Sequence, residues 1–265
     1  MADVSAGKRV SFAGMTTICQ ISKESEKTMT SKERRTARIV GALFLIAMVA
    51  SLVGAGLIEA VLAAPDIVAS AHADRTKLAI GVLLELINAV AVVGIAVGMF
   101  PLFKKQDEAL ALGYVALRII EAVIIIAAVI SPLALIALGQ AYATATADAA
   151  FLQNVGASFV AVRALLVGQL TGIFFGLAAL VFYYLLYQSR LVPRFISVWG
   201  LVAVVLVLGW NIAELVGVEV SIGMILVLPI ILNEIFLGIW LIVKGFEPAP
   251  AVAAPTETAM TGVGG

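Results

Sequence analysis

Residues 109–138 read ALALGYVALRIIEAVIIIAAVISPLALIAL. Apart from Arg118 and Glu121 this stretch carries no charge, and it is longer than the roughly 20 apolar residues that a helix needs to cross a bilayer. A charge at mid-membrane depth costs roughly 2.5–3.5 kcal/mol on insertion scales, so a partner, a water-filled cavity or a mechanism must compensate for it. The stretch therefore predicts a transmembrane helix, and Arg118 and Glu121 become the first candidates for a functional site.

The whole chain shares this apolar character. Hydrophobic residues make up 62% of it and charged residues 13%, and its mean hydropathy is +1.11, whereas soluble domains are nearer to about 45–50% apolar. We therefore expect the lipid bilayer to be its main partner. The formal net charge is zero and the basic residues lie at the ends of apolar segments, so no nucleic-acid partner is expected. A single cysteine, Cys19, excludes an internal disulfide and a multi-cysteine zinc site.

Six segments meet the length requirement for a membrane span. In lipid a run of this length without alternation satisfies its backbone hydrogen bonds only as a helix. The predicted fold is thus all-α, a polytopic membrane helix bundle with six transmembrane helices. The predicted spans are residues 39–60, 78–103, 110–138, 160–187, 195–216 and 222–243.

The remaining residues form tails and loops. We predict a disordered N-terminal tail at 1–32, a transmembrane domain at 33–246 and a disordered C-terminal tail at 247–265, because both tails are polar or small-residue rich and lack periodicity. Both Met1 and Met29 remain open as translation starts. The two longer loops could each hold a short helix, and Asp66 and Asp74 are N-cap candidates in the first of them. No cleavable signal peptide is expected, since the first apolar core is too long.

Basic residues assign the sides of the bundle. Segments that flank the spans on one side of a six-span weave hold most of the Lys and Arg, and the positive-inside rule makes that side cytoplasmic. Both termini are then expected in the cytoplasm. The residues concerned are Lys32, Arg34, Arg35, Arg38, Lys104, Lys105, Arg190, Arg194 and Lys244.

Polar residues inside the spans form a predicted intramembrane cluster. They come from the second, third and sixth spans, and counting about 1.5 Å per residue brings several of them to similar depth. Neighbours three or four apart share a helix face, so a tyrosine hydroxyl in the third span could hydrogen-bond either charge there. Adjacent residues point about 100° apart and cannot face the same way. The cluster consists of Glu85, Asn88, Tyr114, Arg118, Glu121, Asn233 and Glu234.

The charges of this cluster do not balance. One arginine, Arg118, is set against three carboxylates: Glu121 and Glu234 near the midplane with it, and Glu85 about a third of the way in from the outer side. At least one carboxylate should therefore be protonated, hydrated or bound to a cation. Two interpretations remain open: the charges are structural pairs that lock neighbouring helices, or the surplus carboxylate exchanges a proton or ion or contacts a substrate.

Small residues at four-residue spacing form two stripes. Gly94 and Gly98 lie on the second span, and Gly168, Gly172 and Gly176 lie on the fourth. Such stripes permit close approach of helix backbones in lipid, where burial alone drives little association. They predict packing within the bundle, with homodimerisation as the alternative.

Several enzyme classes lack their residues. No predicted span contains histidine or cysteine, so an intramembrane haem or zinc site has no ligands and a serine–histidine dyad cannot form. No predicted span contains aspartate, which removes an intramembrane aspartyl protease. We therefore expect no enzyme activity, no cofactor and no metal site.

Five short motifs carry a family resemblance. They are RTARIVGALFL at 35–45, LLEL at 83–86, ALGYVALRIIE at 111–121, SRLVPR at 189–194 and KGF at 244–246. Together they resemble the bacterial membrane proteins grouped as domain of unknown function 4386, over about residues 33–246. The resemblance implies a six-span protein of the bacterial plasma membrane. It brings no activity and no catalytic or binding residues.

Two functions from different classes fit these observations. One is a small-solute transporter coupled to protons or ions, built around the polar cluster. The other is a non-transporting membrane scaffold or regulator in which the charges are structural. A small molecule or ion and a second copy of the chain are the expected partners besides lipid.

The predicted orientation can be tested by labelling. Single cysteines placed in the two tails and in loop 61–77, in a Cys19→Ser background, are exposed to a membrane-impermeant thiol reagent in intact cells. We expect labelling of the loop alone, because both tails should be cytoplasmic. Labelling of the C-terminal tail would contradict the six-span weave.

Overall fold

The computed structural model describes residues 30–144 and 148–247. These residues form helices and connecting turns, with no strand among them, and they include six helical stretches long and apolar enough to cross a membrane. The all-α, six-span prediction is confirmed. The predicted disordered tails, 1–32 and 247–265, lie outside the described residues except at their inner edges.

Nine α-helices and one π-helical segment make up the described chain. The first, second, fifth and sixth spans are α1, α3, α8 and α9; the third combines α4 and α5, and the fourth combines α6, the π segment and α7. Helix α2 lies in the loop between the first two spans. The elements are α1 (Ser31–Leu62), α2 (Ile67–Ala73), α3 (Arg75–Phe103), α4 (Glu108–Ala128), α5 (Ile130–Ala143), α6 (Ala149–Ala164), the π segment (Leu165–Thr171), α7 (Gly172–Ser189), α8 (Arg194–Leu215) and α9 (Gly223–Val243).

Two spans begin well before their predicted starts. Helix α1 starts at Ser31 rather than residue 39, and the fourth span starts at Ala149 rather than residue 160. The predicted limits followed hydropathy, whereas a helix extends for as long as its backbone hydrogen bonds and caps allow. At the fourth span the Asp148 carboxylate accepts the Phe151 backbone N–H at 2.9 Å, which caps the helix well before the apolar run.

The two predicted caps of the first loop differ in outcome. Asp66 caps α2 by accepting the Ala69 N–H at 2.9 Å, as predicted. Asp74 makes no capping side-chain hydrogen bond with α3. It occupies the N-cap position, as predicted, but its carboxylate forms an ion pair with Lys77 at 2.8 Å instead of the capping hydrogen bond.

Glycines bring the first span against the second and the sixth. A methyl group at Gly41 would lie 2.6 Å from the Gly238 carbonyl oxygen, too close for any side chain. One at Gly98 would lie 2.9 Å from Val40 Cγ2, and one at Gly94 would lie 3.0 Å from a Leu43 methyl. The Gly94/Gly98 stripe therefore packs against α1 within the same chain.

The glycine stripe of the fourth span is divided between two environments. A methyl group at Gly172 would overlap the Asn211 amide of α8, and one at Gly176 would lie 3.0 Å from Leu208 of α8. At Gly168 it would meet no atom within 4 Å. Gly172 and Gly176 thus pack within the bundle, whereas Gly168 faces open space.

Contacts between segment ends gather the basic residues at one end of the bundle. Lys105 lies 4.0 Å from Glu33, which joins the α3–α4 turn to the start of α1. The Glu247 N–H donates to the Leu191 carbonyl at 2.8 Å, which joins the chain after α9 to the α7–α8 turn. We call this end, marked by Lys104, Lys105, Arg190, Arg194 and Lys244, the basic end.

Matched glycine variants of α1 test this close packing. Gly41→Ala should lower the free energy of unfolding by about 1–3 kcal/mol, because a backbone carbonyl cannot rotate away from the added methyl group. Gly56→Ala, in the same helix with no atom within 4 Å of its added methyl, should be neutral or stabilise by about 0.5–1 kcal/mol. Both are measured by unfolding in one detergent, and equal stabilities would contradict the packing.

Candidate functional site

A cavity of about 320 Å³ lies inside the bundle, and all six spans line it. Its volume falls at the lower end of the range of about 300–1,000 Å³ that small-molecule sites occupy. Most of the lining side chains are aliphatic or aromatic. The polar groups among them are Ser51, Asn88, Arg118, Glu121, Thr171, Trp210, Asn211 and Glu234.

An aromatic floor separates the cavity from the basic end. Its centre is Phe182, whose ring lies 5.2–5.6 Å from four other rings by centroid distance. All five rings are buried, and their tilted and edge-to-face geometry is the arrangement that aromatic side chains prefer. They come from the halves of four spans nearer to the basic end. The floor consists of Phe44, Phe103, Tyr114, Phe182 and Tyr183.

The Arg118–Glu121 pair lies directly above this floor. Arg118 Nη1 donates to both carboxylate oxygens of Glu121, at 2.9 and 3.2 Å, and the two residues are only 2% and 3% exposed. The guanidinium also lies over the rings of Tyr114 and Phe175, 5.6 and 5.5 Å from their centroids. One carboxylate and two rings therefore hold the positive charge.

The predicted hydrogen bond of Tyr114 is absent. Within the described chain, neither the Tyr114 hydroxyl nor Arg118 Nε has a hydrogen-bond partner. The ring face of Tyr114 lies against the guanidinium. The same ring packs against Phe103 and Phe182 in the floor.

Asn233 and Glu234 point to different neighbours, as their adjacent positions require. Asn233 is buried against α8, where its Nδ2 donates to the Ile196 carbonyl at 3.0 Å. Glu234 lines the cavity and makes no hydrogen bond or ion pair with any residue that the structure describes. The charges that act on its carboxylate are Arg118 and Glu121.

The structure pairs Glu85 with Arg163 rather than with Arg118. Arg163 Nη2 and Nη1 bind the two Glu85 oxygens at 2.5 and 3.1 Å, and its Nε donates to Glu59 at 3.1 Å. The expected cluster held Glu85 together with Arg118 and left out Arg163. That expectation counted depth from residue 160, whereas the helix starts at Ala149, so Arg163 lies deep enough to meet α3.

A backbone carbonyl completes the surroundings of Arg163. Its Nη1 also lies 3.4 Å from the Ala128 carbonyl oxygen. Pro132 has no N–H, so this carbonyl lacks its ordinary donor four residues on, and the helix is interrupted at Val129. Arg163 therefore joins the first four spans through Glu59, Glu85 and Ala128.

These pairings show which carboxylate is left without an ion-pair partner. Arg163 is shared by Glu85, which is buried, and Glu59, whose side chain is 58% exposed and can be hydrated. Arg118 is engaged by Glu121. Glu234 remains as the carboxylate without a partner in the described part of the chain, and it faces the cavity.

Of the other polar lining residues, some were predicted from the sequence and some were not. Asn88 lines the cavity, so it lies with Glu234 rather than beside Glu85 on the Arg163 side. Asn211 and Trp210 of α8 and Thr171 of the π segment line it too and were not predicted. An amide in an apolar span was the available signal for Asn211.

Arg163 variants test the structural role of its cluster. Arg163→Met should lower the free energy of unfolding by about 3–5 kcal/mol, because it leaves the buried Glu85 carboxylate unpaired. The double variant Arg163→Met/Glu85→Met should recover most of that loss, since no uncompensated buried charge remains. Unfolding curves in detergent provide the measurement. A double variant as unstable as Arg163→Met would show that the ion pair is not the source of the loss.

Comparisons with known proteins place the chain in a family. No curated protein and no solved structure matches it. One family model, described as a domain of unknown function (DUF4386), matches residues 39–245 and so covers the whole bundle from the first span to the last. With its six apolar helices and the motifs of its third span, the chain belongs to the DUF4386 family of domains of unknown function.

Proposed function

We propose that this protein is a membrane transporter that couples the movement of a small solute to a proton or cation exchanged at Glu234. The observation that carries the proposal is the carboxylate of Glu234, which faces a cavity lined by all six spans and has no partner among the described residues. Every other charge that lines the cavity or lies beside it has one.

The cost of such a carboxylate supports this role. An ionised group in a low-dielectric interior without a partner is strongly unfavourable, so it binds a proton or attracts a cation. Both responses are reversible, and this is what a coupling site needs. Ionisable groups that face the interior of a membrane bundle commonly mark ion or proton pathways.

The interrupted spans support the same interpretation. The π segment, Leu165–Thr171, contributes Val167, Gly168 and Thr171 to the cavity, and none of its seven residues is buried. The third span contributes Arg118, Glu121 and Ile125 just before its own interruption. Broken helices at the binding site are typical of transporters, and π segments frequently accompany function.

The aromatic floor supplies a barrier of the kind that alternating access requires. In this proposal, the rings around Phe182 keep solute in the cavity from reaching the basic end, and solute leaves when these rings separate. The positive-inside rule would make the basic end cytoplasmic, in a bacterial plasma membrane. We propose no enzymatic activity, and carboxylates, amides, hydroxyls and one guanidinium carry solute recognition in this scheme.

A non-transporting scaffold is the competing function, and the Glu59–Arg163–Glu85 cluster favours it. That cluster is paired throughout and joins four spans, so its charges need only a structural role. The same argument does not extend to Glu234. The two functions therefore differ in the role of Glu234: a transporter needs its carboxylate to exchange a proton or cation, whereas a scaffold does not.

Glu234→Gln provides the test of transport. Purified protein is reconstituted into vesicles that contain a pH-sensitive dye, and proton flux is recorded on addition of a panel of small solutes. We expect solute-dependent flux in the wild type and at least a tenfold loss in Glu234→Gln, because the amide cannot exchange a proton.

The matched control is Glu108→Gln, the same substitution at an exposed carboxylate on α4 outside the cavity, which should keep wild-type flux. Unfolding temperatures of all three proteins should agree. Flux equal to that of empty vesicles, or a loss of stability in Glu234→Gln with no flux to lose, would favour the scaffold.

A further inference from the structure

We infer that the cavity binds a monovalent organic cation with an apolar body, such as a small aromatic amine or quaternary ammonium compound. The inference rests on the proposed function in that it names the solute of the same site. Binding can nevertheless be measured without transport.

The charges on the cavity wall decide the sign of the ligand. Arg118, Glu121 and Glu234 are the charged lining residues, so the wall carries a formal charge of −1. The positive charge is already engaged, since Arg118 Nη1 binds both oxygens of Glu121 and two rings cover the guanidinium. An anion would meet two carboxylates and an occupied arginine. A cation would meet the free carboxylate of Glu234.

The apolar wall decides the kind of cation. Inorganic cations such as Ca²⁺ need six or more oxygen ligands in a close shell. Most of this wall is aliphatic and aromatic, and the described residues contain no group of three His, Cys, Asp or Glu that could hold a metal. Phe44 and Trp210 instead offer aromatic and apolar surface to an organic body.

The bundle already holds one organic cation in this way. The guanidinium of Arg118 lies over Tyr114 and Phe175 with a carboxylate beside it. Glu234 and the aromatic residues of the cavity wall offer the same elements, a carboxylate and aromatic surface, and no guanidinium or ammonium group of the described chain is ion-paired with Glu234. A ligand ammonium group would complete the second set as Arg118 completes the first.

The cavity edge fits an entering ligand with apolar surface. Leu52 of α1 lines the cavity and is 52% exposed, and Gly168 of the π segment lines it and is exposed as well. The cavity wall is thus open or one side chain thick at this place. Because both residues belong to membrane spans, an entering molecule would cross apolar surface there.

A binding measurement on the full-length protein in detergent tests the inference. The probe is benzyltrimethylammonium, and the control ligand is 2,2-dimethylpropylbenzene, which has the same shape with carbon in place of the charged nitrogen. We expect the wild type to bind the cation at least tenfold more tightly than the neutral compound. Glu234→Gln should lose at least tenfold in affinity for the cation and little for the neutral compound.

A second variant tests binding in the cavity without changing the Glu234 carboxylate. Gly168→Leu places a side chain in the open space of the cavity, with no atom within 4 Å of its Cβ, and should abolish binding of both ligands. Gly113→Leu is the matched control, because its Cβ is equally free but Gly113 does not line the cavity. Its affinity should equal that of the wild type.

The outcomes separate this inference from the proposed transport. Equal affinities for the two ligands, unchanged binding in Glu234→Gln, or displacement of the cation by Na⁺ at lower concentration than by the probe itself would overturn the organic-cation inference. Glu234-dependent proton flux could still be found with another solute. Conversely, Glu234-dependent binding of the probe without any flux across vesicles would support the ligand class and overturn transport.

Discussion

A charge inside an apolar bundle must find a partner, because no bulk water is there to solvate it. Arg163 meets this constraint most completely. It neutralises Glu85, bonds Glu59 and donates to the Ala128 carbonyl, which Pro132 leaves without a donor. One side chain thus compensates for a buried carboxylate in the second span and for an undonated carbonyl in the third.

The same constraint makes Glu234 the informative exception. Arg118 is held by Glu121 and two aromatic rings, so its charge is accounted for within one face of the third span and its neighbours. The carboxylate left over faces the cavity, above a floor of buried rings. Glu234 shares the cavity wall with the Arg118–Glu121 pair, whereas Glu85 and Arg163 pair with each other and do not line the cavity.

Much of the candidate site could be read from the sequence, and the failures have one cause. Arg118, Glu121 and Glu234 can be recognised in the sequence because charged residues are rare inside long apolar segments. Glu85 was predicted to lie with Arg118 rather than Arg163, because hydropathy placed the start of the fourth span at residue 160 instead of Ala149. Helices continue past the apolar run when a cap such as Asp148 is available, so depth counted from hydropathy alone misplaces residues near a boundary.

The sequence by itself determined the class of this protein, its six spans and the surplus of carboxylate over arginine. These features follow from composition and from the pattern of residues along each span. They can be recognised one span at a time, without knowing how the helices pack. The tertiary structure decided which arginine meets which carboxylate, that Gly168 faces open space while Gly172 and Gly176 pack on α8, and that a cavity exists. Such features depend on how helices rotate and pack against one another. No single helix carries that information, because rotation is set by the sum of all its contacts.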